Sequence, residues 1–235
     1  ASGYSKPTAI NNHGQVVGQS SAGGLAAHAF FWEKGVMTDL GTLGGLFSSA
    51  ADINDDGQVV GYSYTKAEAG ASAEVHAALW DGGVVSDLGH LGGGYSEAVD
   101  INAGGQIVGM SATTGADYRD RETHAVLWDR GAMIDLGHLG GGYSEAVAIN
   151  NRGQVIGLSA TAGGEIHGFL WEKGTLTDLG TLGGRVATPA AINDRSQIVG
   201  MSTLEDGQPF NSGDHDDDED GDDLPTHAFL WDKGV

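Results

Sequence analysis

The densest chemistry in the sequence is a run of acids near its C-terminal end. Asp216, Asp218 and Asp220 alternate, Gly221 follows, and Asp222 and Asp223 close the run. Alternating carboxylates with a glycine at the sharp turn match the opening of a calcium loop. Hard oxygen donors suit Ca²⁺ better than softer metals. The bidentate Glu expected at the twelfth loop position is missing, and His227 stands there. The run is therefore not an EF-hand, and reads as a short Asp-rich loop of the extracellular kind. Eight acids between Asp214 and Asp223 repel one another. An ordered loop needs a cation to offset that repulsion, whereas a solvated acid run needs none. Calcium sites in extracellular modules are weak, about 10⁻⁴–10⁻³ M. Asp214 and His215 are poorer ligand candidates.

A second set of residues recurs. His28, His76, His124, His167 and His227 each open a segment that Trp32, Trp80, Trp128, Trp171 and Trp231 close. Asp39, Asp87, Asp135 and Asp178 follow in Asp-Leu-Gly triplets. Five equivalent histidines could line an axis and bind a metal. A residue repeated in every unit more naturally serves every unit. His would then donate to the Asp of the neighbouring strand or to a carbonyl, and Trp would pack between units with its N–H satisfied at the rim. His90 and His138 are different: Thr42 and Thr181 replace them in other units. With Tyr95 and Tyr143 they form candidate paired surface sites for a sugar.

Catalysis needs unlike residues converging on one place. The unique candidates are Tyr64, Glu68, Glu74 and the stretch Asp117, Tyr118, Arg119, Asp120, Arg121 and Glu122. A glycosidase would need two carboxylates flanking one bond, and the inner segments of the repeat read as lacking a lone acid. No serine elbow, phosphate loop or nucleotide fingerprint is present. The glycine-rich LGTLGG and LGHLGGG stretches recur in each unit and precede no helix.

The elements that must position these residues come from an internal repeat. An Ile-Asn pair recurs at Ile10, Ile53, Ile101, Ile149 and Ile192, each followed by a Gln-apolar-Val/Ile-Gly segment. Residues 87–99 and 135–147 are identical, a mark of recent duplication. Each unit reads as four short strands. Asn/Asp-rich turns ending in Gly join the first two, because Asn and Asp bond their own backbone and Gly accepts positive φ. Glycine every few residues disfavours helix. Four strands per 43–48 residues is the period of a propeller blade. The expectation is an all-β chain, a five-bladed β-propeller of four-stranded antiparallel blades. Its repeats span about 1–45, 46–93, 94–141, 142–184 and 185–235, with the acidic loop 205–225 inserted in the fifth. A β-solenoid and an open row of small sheets are the alternatives. No Asp-Leu-Gly follows Trp231, so one blade lacks a strand: the strand is trimmed or disordered, the open edge is tolerated, or a neighbouring subunit donates or pairs a strand there.

The phrases AINNHGQVVG, HAFFWEKG and MTDLGTLGG together resemble the HAF-type extracellular repeat family, named for His-Ala-Phe, here His28-Ala29-Phe30 and His227-Ala228-Phe229. The resemblance covers nearly the whole chain. It implies a secreted bacterial or archaeal protein with a propeller-like fold, and little about activity. Gly168 replaces the motif's Ala in the fourth unit, and Ala78 or Val126 replaces Phe in others, which reads as packing variation.

Composition narrows the function. The 235 residues carry a net charge of −21, 41 Gly, 4 Pro and no Cys. The charge repels nucleic acid and favours cations or a salty medium. The absence of Cys excludes disulfides, thiolate metal sites and thiol catalysis. No apolar run approaches the ~20 residues of a membrane span. A chain opening at Ala1 reads as a processed product or a fragment. The reading of function is a secreted, calcium-stabilised structural or adhesive protein, not an enzyme, self-associating through an open blade edge. A lectin-like carbohydrate-binding propeller is the alternative, and a polysaccharide-acting enzyme a weaker one.

Overall fold

The computed structural model describes residues 3–21, 24, 26–67, 73–113, 122–204 and 226–232. All regular structure among them is β, in five successive antiparallel units. Unit one is β1 (Tyr4–Ile10), β2 (Val16–Ser21), β3 (His28–Glu33) and β4 (Val36–Gly41). Unit two is β5 (Gly44–Ile53), β6 (Val59–Thr65), β7 (Val75–Asp81) and β8 (Val84–Asp87). Unit three is β9 (Ser96–Ile101), β10 (Ile107–Ala112), β11 (Thr123–Asp129) and β12 (Ala132–Gly137). Unit four is β13 (Gly140–Ile149), β14 (Val155–Thr161), β15 (Ile166–Glu172) and β16 (Thr175–Gly180). Unit five has three described strands, β17 (Gly183–Ile192), β18 (Gln197–Leu204) and β19 (Thr226–Asp232). No helix among the described residues is long and apolar enough to cross a membrane.

The turn between the first two strands shows how the sequence sets the register. Asn54 Oδ1 accepts the Gln58 N–H at 3.0 Å, and the Gly57 N–H reaches the Asn54 carbonyl at 3.1 Å. This is the Asx chemistry that makes Asn a turn residue. Just before the turn the first strand carries one extra residue, a bulge repeated in all five units. Bulges bend a strand and increase its twist, which suits strands gathered around an axis.

The sheets are mixed rather than one closed barrel. Short parallel bridges tie β11 to β13 and β15 to β17. The first strands lie side by side in series, β1 on β5, then β9, β13 and β17, and among the described residues no packing of comparable extent joins the fifth unit to the first. The apolar core lies between units. Each interface pairs a rear face with the front face of the next unit. Between units three and four, Val108, Ala125, Leu127 and Leu136 meet Ala146, Ile149, Val155 and Phe169. The other three interfaces repeat the same positions.

Polar links stitch the same seams. The Asn11 side chain donates to the Asn54 carbonyl at 3.0 Å, and Asn54, Asn102 and Asn150 do the same to the next unit in turn. Ser144, fully buried, donates to the Gly137 carbonyl at 2.6 Å and accepts the Ala125 N–H at 2.9 Å. Ser48 and Ser96 repeat this link. Ser144→Ala leaves one buried N–H and one carbonyl short of a partner, so a loss of about 1–3 kcal/mol is expected. Its check is the urea midpoint, against Ser5→Ala on the exposed first strand, which should stay within about 0.5 kcal/mol.

Candidate functional site

Four of the recurrent histidines meet the Asp of the neighbouring strand. The Nδ1 distances are 2.8 Å for His28–Asp39, 2.7 Å for His76–Asp87, 2.8 Å for His124–Asp135 and 2.9 Å for His167–Asp178. The strand register places them: residues at the start of the third strand and the end of the fourth are cross-strand neighbours. Among the described residues His227 has no such Asp partner. Trp80 and Trp128 are buried between units, while Trp32, Trp171 and Trp231 are partly exposed. The Trp128 N–H donates to the Leu88 carbonyl at 2.9 Å, whereas the buried Trp80 N–H lacks a partner among the described residues.

In two units a further carboxylate and a second histidine join the pair. Glu74 Oε2 lies 3.0 Å from His76 Nε2 and 3.8 Å from His90 Nε2, and the two rings stand 4.9 Å apart. In unit three Glu122 Oε1 lies 3.9 Å from His124 Nε2, and the His124 and His138 rings stand 5.0 Å apart. Donor atoms of each trio all lie within 4.8 Å of one another. Of the candidate sugar residues, His90 and His138 thus face the recurrent histidines. Tyr95 and Tyr143 turn elsewhere: their hydroxyls donate to Glu97 at 2.8 Å and Glu145 at 2.7 Å.

Tyr95 lines a cleft of about 290 Å³ with Tyr62, Tyr64, Val75 and Glu97. Burial, with Glu145 nearby, raises the Glu97 carboxyl above its usual range, and burial raises the Tyr62 hydroxyl. Burial and the Glu145 carboxylate raise Tyr143.

The first strands do carry lone acids, contrary to the sequence expectation. Asp52 and Asp100 stand where the other units have Ala9, Ala148 and Ala191. Asp100 hydrogen-bonds Asp52, and burial together with that contact pushes it up to about 7. Its two oxygens also accept the Ile101 and Ile149 N–H groups, both at 2.8 Å. The change of Ala-Ile-Asn to Asp-Ile-Asn in two repeats was the available signal. The acids sit inside an otherwise apolar motif, which masks that signal. Asp216, Asp218, Asp220, Asp222 and Asp223 lie outside the described residues, as do Glu68 and the stretch Asp117–Arg121. Tyr64 lines the cleft, and Glu74 and Glu122 belong to the histidine trios.

Among the described residues, two lateral faces have no unit packed on them. On the front of unit one, Ile10 is 68% exposed, while its equivalents Ile53, Ile101 and Ile149 are buried. On the rear of unit five, Val199 and Leu230 are 45% and 60% exposed, while Val17, Val60, Val108, Leu127 and Leu170 at the equivalent positions are buried.

No protein-family model matches the chain, and no curated protein matches it. Among solved structures it is similar to a protein assigned as TolB from Agrobacterium tumefaciens, with a TM-score of 0.58 and 15% identity, over 98% of this chain and 77% of that one. A TolB from Acinetobacter baumannii aligns with a TM-score of 0.48 and 12% identity, over 86% of this chain and 52% of that one. At this identity the first likeness concerns the fold alone, which is all-β and β-propeller-like.

Proposed function

We propose that the chain is a secreted, non-catalytic assembly module: five blades of a propeller-like arc whose last blade docks on the first blade of a second copy. The observation that carries this reading is the pair of uncovered end faces. They hold the same residue types that pack against each other at four interfaces within the chain. A rear face therefore finds in another copy's front face the partner that every interior rear face already has. The contact is heterologous, so it generates either a closed ring or a filament. It differs from strand pairing at an open edge in burying side chains rather than joining backbones. A net charge of −21 opposes association, and bound calcium or high salt relieves that opposition. The acidic loop is the natural place for the cation.

The test is the light-scattering mass in millimolar calcium and in excess chelator. A mass that is a multiple of 24.1 kDa in calcium is expected. Leu230→Glu and Ile10→Glu, one on each face, should each return it to a monomer. A wild-type chain that stays monomeric in both buffers overturns the reading.

A second reading rests on the cleft of Tyr62, Tyr64, Tyr95 and Glu97. Aromatic faces stack on sugar rings and carboxylates accept sugar hydroxyls, so the lectin alternative has a place to act. Glycan binding abolished by Tyr64→Ala would support it.

A further inference from the structure

We infer that the chain holds two equivalent sites for a late divalent transition metal such as Zn²⁺, one on Glu74, His76 and His90, the other on Glu122, His124 and His138. Imidazole and carboxylate donors suit this class of ion. Tetrahedral Zn²⁺ with N and O ligands at about 2.0–2.1 Å places its donors about 3.3–3.4 Å apart. The Glu74–His76 and Glu74–His90 separations of 3.0 and 3.8 Å bracket that value.

Three further observations point the same way. Asp87 and Asp135 hold Nδ1 of His76 and His124. That leaves Nε2 directed at the cluster, the carboxylate–histidine arrangement that orients metal ligands. His124 Nε2 is also buried without a hydrogen-bond partner, and a buried polar atom left unpaired in this way needs an explanation. Among the described residues the trio is confined to units two and three. Ala26 replaces the glutamate and Thr42 the second histidine in unit one. Unit four keeps Glu165 and His167 but has Thr181.

The turn around His90 defines what loading requires. The Gly92 and Gly94 N–H groups both donate to His90 Nδ1, at 2.9 and 3.2 Å, so the ring proton resides on Nε2. His138 makes the same bonds to Gly140 and Gly142. When Nε2 binds the ion, that proton moves to Nδ1 and the glycine N–H bonds open. The fourth position is left to water.

Equilibrium dialysis against Zn²⁺ with elemental analysis tests the assignment, in millimolar calcium so that the acidic loop is occupied. Two zinc ions per chain are expected, with shifts of the Gly92, Gly94, Gly140 and Gly142 amide resonances. His90→Thr with His138→Thr installs the residue that units one and four already carry, so folding should be kept, and zinc affinity should fall at least tenfold. Thr181→His with Arg185→Gly should raise the count to three, because it rebuilds the trio around Glu165 and His167. A wild-type chain that binds no zinc, or a double threonine variant that keeps both ions, overturns the inference. Neither readout depends on the oligomeric state.

Discussion

Gly157→Ala should destabilise the protein by about 3 kcal/mol, the upper range for forcing extra volume into a packed site. A Cβ at Gly157 would collide with the Glu145 carbonyl oxygen and the edge of the Phe169 ring. Neither can retreat. The carbonyl belongs to the bulged first strand of the same sheet, and Phe169 is fully buried in the interface with unit three. The same clash with the first strand's carbonyl holds at Gly18, Gly61, Gly109 and Gly200. The glycine of the Gln-apolar-Val/Ile-Gly motif is thus a steric requirement of the bulge. Gly163→Ala is the control. Its nearest neighbour would be the Thr161 hydroxyl at 3.6 Å, so a change within about 0.5 kcal/mol is expected. Equal urea midpoints for the two variants would refute the steric account.

The second large effect is a pH dependence centred on Asp52 and Asp100. The folded state holds Asp100 up to about 7, far above its ordinary 3.8. Between those values the native protein keeps a proton that the unfolded chain has lost. The sign follows: stability from this pair is fully present below about pH 4 and is lost as pH rises through 7. A shift of about three units corresponds to a loss on the order of 4 kcal/mol, at about 1.4 kcal/mol per unit. Asp52→Asn removes the competing carboxylate. Its amide can donate to Asp100 while its oxygen still accepts the Ile101 N–H, which Asp52 holds at 3.2 Å. The variant should melt well above wild type at pH 8 and close to it at pH 5. A melting-temperature difference that is the same at both pH values would sink the idea. Glu97 is raised by its own burial, with Glu145 nearby, so some slope of the same sign should survive.

Element type and order were readable because hydrophobic alternation, Asn-Gly turns and the repeat all indicate the same strands. Each unit had to use its conserved-looking residues in the same way, so the His and Asp of one unit predicted the contact in the next. What the sequence hid came from departures within the repeat. Asp52 and Asp100 replace alanine at a position whose side chain faces the neighbouring unit, and only packing reveals that two such acids meet. His90 and His138 stood out by their rarity, but their partners Glu74 and Glu122 lie in the variable loop before the third strand. Glu74, Glu122 and Glu165 each stand two residues before the recurrent histidine, but only the fold brings a second histidine beside the first two. Closure of a ring was also beyond periodicity. Among the described residues five units form four interfaces and leave two faces, and what happens at those faces depends on the angle between units.

The seam between units has a consequence for how such a chain can change over time. Because the same apolar positions build every rear and every front face, the interface carries little address beyond the Asp52–Asp100 pair. A duplicated unit inserted among them finds apolar partners on both sides, and the Asn link extends across the new seam; the Ser link does so where the incoming unit keeps its serine, which Ala187 replaces in unit five. Residues 87–99 and 135–147, still identical, are what such a copying event leaves behind. The unit count is then a length that gene duplication can tune. The duplicated histidine trios show that chemistry acquired once is multiplied along with the scaffold.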